Sequence, residues 1–271
     1  MTNSKLVQIT KDQNGREAIM VRVDKTLKEL MEEKPSGRWD ADYWHPRNDD
    51  QMPSQFEIQE LGNFVEYITY GVILTGKKRD FAPSGIHYIS STTVVFTGIS
   101  HFLNSLYVGK DDKRNVENKK PHYGDIVFNR SGVGTLGRQC VFLYDSGLYT
   151  ISDDTDVIRF KGISPFFVSI FLKTTFGFSQ IKRRQRGVSG LIKISFDDIK
   201  AIKIPVLPVS IQDHIESEYK KMSAYHDKAM DGKKKSDEDA YKKNIETAEK
   251  MLKDLIARTE AVIRGERKDV I

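Results

Sequence analysis

Apolar and polar positions follow two different patterns along the chain, and the change falls near Pro208. Upstream, short apolar runs are separated by Gly, Ser, Asp and Pro. They are Ile86-His-Tyr-Ile-Ser90, Asp125-Ile-Val-Phe128, Gln139-Cys-Val-Phe-Leu-Tyr144, Asp156-Val-Ile-Arg-Phe160, Leu191-Ile-Lys-Ile-Ser195 and Ile202-Lys-Ile-Pro-Val-Leu207. Runs of this length between turn formers predict strands. Residues 4–23 read as a β-hairpin turning at Asn14-Gly15. A short helix follows, with Thr26 and Glu29 spaced as a capping box. The stretch Pro35–Pro53 has no periodicity and reads as a connector held down by Trp39, Tyr43 and Trp44. One helix interrupts the strands: Ser164 stands as its cap, Pro165 takes its first position, and residues 166–176 are apolar nearly all round. Such a helix belongs in a core.

Downstream of Pro208 the pattern is helical and charged. Ile211, Ile215, Met222, Tyr225 and Ala229 mark one stripe. Tyr241, Ile245, Ala248, Leu252, Leu255, Thr259 and Val262 keep a 4-3-4-3-4-3 spacing, a heptad seam. The stripes are out of register by two positions, with Asp-Gly-Lys-Lys-Lys-Ser (231–236) between them. Either one helix changes face there or two helices meet at a turn around Gly232. The expected class is α+β: an N-terminal hairpin and connector (1–53), a mostly-β unit with a buried helix (54–207), and a long, coiled-coil-like helical spacer (208–271).

The 271 residues include 43 Lys and Arg against 38 Asp and Glu, a net charge of +5 that makes an anionic partner plausible. Distribution says more than the sum: Lys77-Lys78-Arg79 and Lys182-Arg183-Arg184-Gln-Arg186 adjoin glycines in segments that read as loops. The one cysteine, Cys140, sits in an apolar run and reads as a buried strand residue. A single thiol excludes a disulfide framework and a multi-thiolate zinc site. No apolar run approaches the roughly 20 residues of a membrane helix, and the N-terminus lacks a signal segment. The expectation is a cytoplasmic protein without membrane contact.

The stretch Phe128-Asn-Arg-Ser-Gly-Val-Gly-Thr-Leu-Gly-Arg138 contains Gly132, Gly134 and Gly137 in the G-x-G-x-x-G spacing of a dinucleotide site. Asp154 and Asp156 lie about 20 positions on, as that fingerprint asks. A dinucleotide site also needs a helix starting in the glycine turn, because the helix N-terminus supplies the N–H groups and dipole. Here Arg138-Gln-Cys-Val-Phe-Leu-Tyr144 reads as a strand. What remains is two strands joined by a glycine loop carrying Asn129, Arg130, Ser131 and Thr135. No nucleophile elbow and no histidine ligand pair occur in the sequence. Ser164-Pro-Phe-Phe167 differs from the methylase Asn/Asp-Pro-Pro-Phe/Tyr motif in its first and third residues.

Residues 124–138 and 167–215 together resemble the target recognition domain of type I restriction-modification specificity subunits. The shared pieces are a Gly-Asp-Ile strand entering a glycine loop, a Gly-x-Ser-Gly before a strand, and an Ile-x-Ile-Pro-x-x-Pro exit into a helix. Residues 84–100 are similar to an early strand-loop-strand of that family. The resemblance covers about 54–265 and implies a non-catalytic DNA-reading subunit. It implies double-stranded DNA and methyltransferase subunits carrying S-adenosylmethionine as partners. In the full complex it adds restriction subunits that use ATP and Mg; no cofactor is expected on this chain. Such subunits carry two recognition domains and two spacers, whereas this chain has one of each, the form of a half-subunit.

The expected DNA contacts are Lys77, Lys78, Arg79, Ser90, Thr92, Asn129, Arg130, Ser131, Thr135, Lys182, Arg183, Arg184, Arg186 and Ser189, with Arg130 the base reader. The expected subunit interface is Ile211, Ile215, Met222, Tyr225, Tyr241, Ile245, Ala248, Leu252, Leu255 and Val262. A continuous helix over 209–265 spans on the order of 80 Å. Its seam then requires a second copy, and a homodimer reads an inverted repeat with an unread gap. The alternatives are a nuclease or methyltransferase with its own active site, or a non-specific nucleic-acid adaptor. The glycine reading is checked by calorimetric titration of the chain with dinucleotides and ATP. No binding is expected, and micromolar affinity for any of them contradicts it.

Overall fold

The computed structural model describes residues 5–11, 17–23, 52–73, 80–101, 106–187 and 192–271. The Asn14-Gly15 turn, the short helix after Thr26 and nearly all of the 35–53 connector lie outside the described residues. The strands are β1 (Lys5–Lys11), β2 (Glu17–Val23), β3 (Ile58–Glu60), β4 (Val65–Tyr70), β5 (Ile86–Ile89), β6 (Val94–Val95) and β7 (Gly98–Ile99). They continue with β8 (Leu106–Val108), β9 (Ile126–Asn129), β10 (Gln139–Val141), β11 (Tyr149–Ile151), β12 (Thr155–Phe160) and β13 (Lys203–Pro205). The helices are α1 (Pro165–Phe171), α2 (Thr175–Arg184), α3 (Phe196–Lys200), α4 (Val209–Lys234) and α5 (Glu238–Ile263). The architecture is mixed α+β, closed by a long helical pair.

β1 and β2 pair antiparallel from Lys5↔Val23 to Lys11↔Glu17, as the hairpin reading expects. The central sheet runs β10-β9-β12-β4, antiparallel throughout. A second sheet, β11-β5-β8, has one parallel and one antiparallel pair. Side chains alternate across a strand, and here both faces of the central sheet are covered. Ile126, Phe128, Val141 and Ile158 join Phe167, Ile170 and Phe171 of α1 in one core. Val127, Cys140 and Val157, one position along, join Ile89, Tyr149 and Ile151 of the second sheet in another. Cys140 is fully buried, and burial pushes its thiol up to about 12.

The apolar run 166–176 forms two helices rather than one. Thr174 caps α2: its Oγ1 accepts from Gly177 N–H at 3.1 Å and donates to Phe171 O at 2.6 Å. At Gly177 a Cβ would lie 2.2 Å from Phe171 O, so the two helices abut there without a side chain between them. Ser164 stands at the cap position of α1 but makes no side-chain cap bond. Instead its N–H donates to Gln212 Oε1 of α4 at 2.7 Å. Of the expected strand 191–195, the described residues 192–195 form none; Lys193 makes only isolated bridges there.

α4 and α5 are two helices of 26 residues, each about 39 Å long. Of the two readings of 231–236, the structure has two helices that meet at a turn, placed at Lys235–Asp237 with Ser236 at φ +59° rather than at Gly232. Gly232 lies in the last turn of α4, where a Cβ would come 2.9 Å from Tyr241 N. The pairing is antiparallel: Lys233 meets Glu238 at 2.6 Å and Arg258 meets Glu218 at 3.3 Å. Ala248, Leu252, Leu255, Thr259 and Val262 are buried, as are Ile211, Ile215 and Met222. Of the expected interface residues, Ile211, Ile215, Met222, Ala248, Leu252, Leu255 and Val262 are therefore core of one chain. Tyr225, Tyr241 and Ile245 are half-buried. Tyr241 and Ile245 line, with Val95, Phe96 and Ile256, an open apolar cleft of about 510 Å³.

The hairpin is tied to the sheets by specific bonds. Val141 N–H on the edge strand β10 donates to Tyr219 Oη at 2.9 Å. His226, fully buried, contacts Ile99 O through Nε2 at 3.0 Å and Thr97 Oγ1 through Nδ1 at 3.0 Å. The carbonyl can only accept, so Nε2 carries the proton and Nδ1 accepts from the hydroxyl. Tyr144 donates to Asp227 at 2.7 Å, and Thr175 N–H at the start of α2 donates to Glu260 of α5 at 2.5 Å.

Leu255→Ala should lower the unfolding free energy by about 2–5 kcal/mol in a urea titration. The wild-type urea midpoint should not move with protein concentration. A midpoint that rises with concentration would mean that a second chain completes the seam.

Candidate nucleic-acid interface

The glycine loop joins two antiparallel strands. β9 ends at Asn129 and β10 begins at Gln139, with Asn129 N–H donating to Arg138 O at 2.9 Å and Gly137 N–H to Asn129 O at 2.9 Å. Gly132, Gly134 and Gly137 have φ of +102°, +76° and +84°, values that glycine adopts without strain. Gly137 serves a second purpose, since a Cβ there would press on Ile181 of α2 at 3.2 Å. No helix starts in the loop, so it offers no helix N-terminus to a pyrophosphate. Among the described residues no group of three or more His, Cys, Asp or Glu is placed to hold a metal ion.

Three of the four expected loop segments meet here. Ile194 N–H donates to Arg130 O at 3.0 Å, and Gly132 N–H donates to Ile192 O at 3.1 Å. Arg186 and Lys193 exchange two backbone bonds of 2.7 Å. Asn129 Nδ2 donates to Ser91 O at 2.8 Å, which brings the 90–92 turn to the same end of the sheet. Lys77, Lys78, Arg79 and Ser189 lie outside the described residues.

The individual side chains divide into exposed and structural ones. Thr92, Lys182 and Lys193 are exposed, and Arg186 is 39% exposed while bonded to Asp198 at 2.6 Å. Ser90 pairs with Thr92 through their hydroxyls at 3.0 Å. Asn129 is fully buried, Ser131 is buried and donates to Asp154, and Thr135 donates to Ser131 O at 3.0 Å. These three shape the loop rather than face outward.

The expectation for Arg183 and Arg184 is corrected. Residues 182–184 form the last turn of α2, not a loop, and both arginines are buried. Arg184 is fully buried and donates to Gln180 O at 3.2 Å and Ala201 O at 3.0 Å. Helix-end carbonyls without partners attract such donors. Lys182 alone of this turn reaches solvent, its ammonium 4.9 Å from the Phe178 ring.

Arg130 occupies a distinct setting. Its guanidinium lies 4.5 Å from the Tyr70 ring centre and 5.2 Å from that of Phe196. Its Nε is 3.7 Å from Asp156 Oδ1, with Arg130 20% exposed and Asp156 fully buried. Burial lifts the Asp156 carboxyl to about 8, against the opposing pull of Arg130. Sequence patterns gave no sign of Tyr70 or Phe196, which reach Arg130 from β4 and α3. Lys193 was visible as the polar residue between Ile192 and Ile194, but it was read as part of a strand.

Arg184→Ala should destabilise the fold by about 1–3 kcal/mol, because buried carbonyls lose their donor. Lys193→Ala should leave the melting temperature within a degree or so of wild type. Equal losses in the two variants, read by thermal denaturation, would contradict this division.

No family model and no curated protein matches the chain. Solved structures do. A type I restriction-modification S subunit from M. genitalium aligns at 12% identity and a TM-score of 0.42, over 69% of this chain and 43% of that one. A structure described for complex assembly and conformational transition of the type I R-M system aligns at 15% and 0.42, over 82% and 49%. The HsdS subunit from Thermoanaerobacter tengcongensis aligns at 16% and 0.39, over 89% and 50%. This chain spans half or less of the length of each of these three structures.

Proposed function

We propose that this chain reads duplex DNA with the surface where the β9–β10 loop, the 90–92 turn and residues 182–187 and 192–194 meet. It acts as the recognition subunit of a type I-like modification or restriction-modification complex. The chemistry lies on partner methyltransferase subunits, which bring S-adenosylmethionine, and on restriction subunits where present, which bring ATP and Mg. The α4–α5 hairpin is the element those partners would dock on.

The observation that carries this reading is the convergence. The 90–92 turn, chosen from sequence as a contact loop, is bonded to the glycine loop through Ser91. Residues 192–194, which the sequence predicted as part of a strand, join the loop through backbone bonds and bring Arg186 of the 182–190 contact segment to it through Lys193. The resulting edge combines exposed cations, Lys182 and Lys193, with a glycine backbone that leaves room for close approach. Phosphate neutralisation by such cations releases counterions and gives salt-dependent affinity. The order of motif pieces along 84–215 supports the same reading.

The test is binding of the purified chain to a random duplex pool, followed by selection and sequencing of what it retains. Enrichment of a short motif is expected. Retention of all sequences alike would make the chain a non-specific adaptor, and modification or cleavage of DNA by the chain alone would make it an enzyme. In anisotropy titrations the Lys182→Ala/Lys193→Ala double variant should bind all duplexes more weakly. Its log–log salt slope should fall by about 1–2 units. An unchanged slope would move the phosphate contacts elsewhere.

A further inference from the structure

We propose that Tyr70, Phe196 and Asp156 form a cage that aims the Arg130 guanidinium at the paired acceptors on the major-groove edge of a guanine. Asp156 is a positioning residue in this cage. The assignment rests on the reading of this surface as a DNA interface and deepens it to one base contact.

The first support is how Arg130 differs from Arg159, Arg114, Arg186 and Arg184. Arg159 holds Asp125 with two bonds of 2.9 Å, Arg114 holds Asp112 at 2.8 and 2.6 Å, and Arg186 holds Asp198 at 2.6 Å. Arg184 is bonded to main-chain carbonyls. Arg130 has a carboxylate beside it at 3.7 Å and no hydrogen bond at its buried Nε. Its side chain is 20% exposed, and its two terminal nitrogens are not among the buried unpartnered atoms. Those nitrogens are two parallel donors in a fixed fork, the complement of two adjacent acceptors such as guanine O6 and N7.

The second support is the orientation imposed by the rings. Tyr70 and Phe196 are 5.8 Å apart, tilted at 45°, and the guanidinium contacts both. Contact with two rings restricts the rotation of a long side chain, which lowers the entropy lost when it binds. A lysine in the same place would offer a point charge with no fork.

The third support concerns Asp156. Both of its carboxylate oxygens are buried without a hydrogen-bond partner. In register it lies opposite Tyr70 on β4 and Phe128 on β9, and Arg130 is the charged group acting on it. With its carboxyl lifted to about 8, Asp156 keeps its proton at neutral pH and leaves the Arg130 charge available for a ligand. As pH rises through that value the carboxylate forms and competes for Arg130. Bound DNA adds negative potential, which opposes ionisation of Asp156, so binding is linked to holding the proton. Affinity must then fall, not rise, as pH increases above about 8.

The experiment uses the full chain and the duplex enriched from the random pool. Replacement of the contacted guanine by 7-deazaguanine, which lacks the N7 acceptor, should weaken wild-type binding roughly 5- to 150-fold. Replacement by inosine keeps O6 and N7 and should change little. Arg130→Lys should show a similar loss on the native duplex and no further loss on the 7-deazaguanine duplex. Asp156→Asn should bind at pH 7 within a few-fold of wild type and lose the decline above pH 8. Where Arg130→Lys proves unfolded by circular dichroism, the 7-deazaguanine series on wild type decides alone. An enriched motif without a G·C pair overturns the assignment, as does indifference to every guanine replacement. Equal weakening of all duplexes by Arg130→Lys makes Arg130 a phosphate contact and also overturns it. In those three cases the DNA reading still stands. Failure of wild type to bind any duplex overturns that reading and this assignment together.

Discussion

Burial of both faces of the β10-β9-β12-β4 sheet is the constraint on which the rest of the structure depends. Alternate residues of β9 and β12 enter different cores, Ile126 and Ile158 toward the helices, Val127 and Val157 toward the second sheet. A sheet covered on both sides can meet a partner only at its strand ends and edges. The surface at the end of β9 is built accordingly from three connections rather than from a face. The same burial encloses Asp156 on the helix side of the sheet and raises its carboxyl, so double coverage also sets the electrostatics beside Arg130.

The helical hairpin follows from the same demand. Strand β10 is an edge of the central sheet, and an edge exposes unpaired backbone groups. Tyr219 of α4 satisfies one of them at Val141, while His226, about two turns further along the same helix, closes on the β6–β7 hairpin. Gly98 makes that closure feasible, because a Cβ there would lie 2.4 Å from the His226 ring. α5 in turn covers α4 and reaches α2 through Glu260. The helical pair is thus tied to the sheets and to α2 by specific bonds.

What was legible in the sequence tracks how local the deciding forces are. Strands bounded by turn formers, such as 86–89 and 126–129, were visible because their ends are set by neighbouring residues. The failure of the dinucleotide fingerprint was visible too, since the residues after Gly137 carry a strand pattern. The split between α1 and α2 was hidden: the apolar run 166–176 continues across the break, and only the cap at Thr174 and the contact at Gly177 separate the helices. The heptad spacing of α5 was read correctly as a seam, but spacing says nothing of whether the partner helix lies in the same chain. Arg183 and Arg184 looked like surface cations because charge alone does not reveal that the last turn of α2 buries both of them. The cage around Arg130 unites β4, β12, α3 and the loop, a meeting that no local pattern encodes.

The central claim is that the β9–β10 loop edge is the face that meets DNA. Amide hydrogen exchange of the chain, with and without its selected duplex, tests it most directly. Slower exchange at 130–137, 186–187 and 192–194, with residues 245–256 of α5 unchanged, is the predicted result. Protection confined to the α4–α5 hairpin, with the loop edge exchanging as in the free chain, would contradict the account.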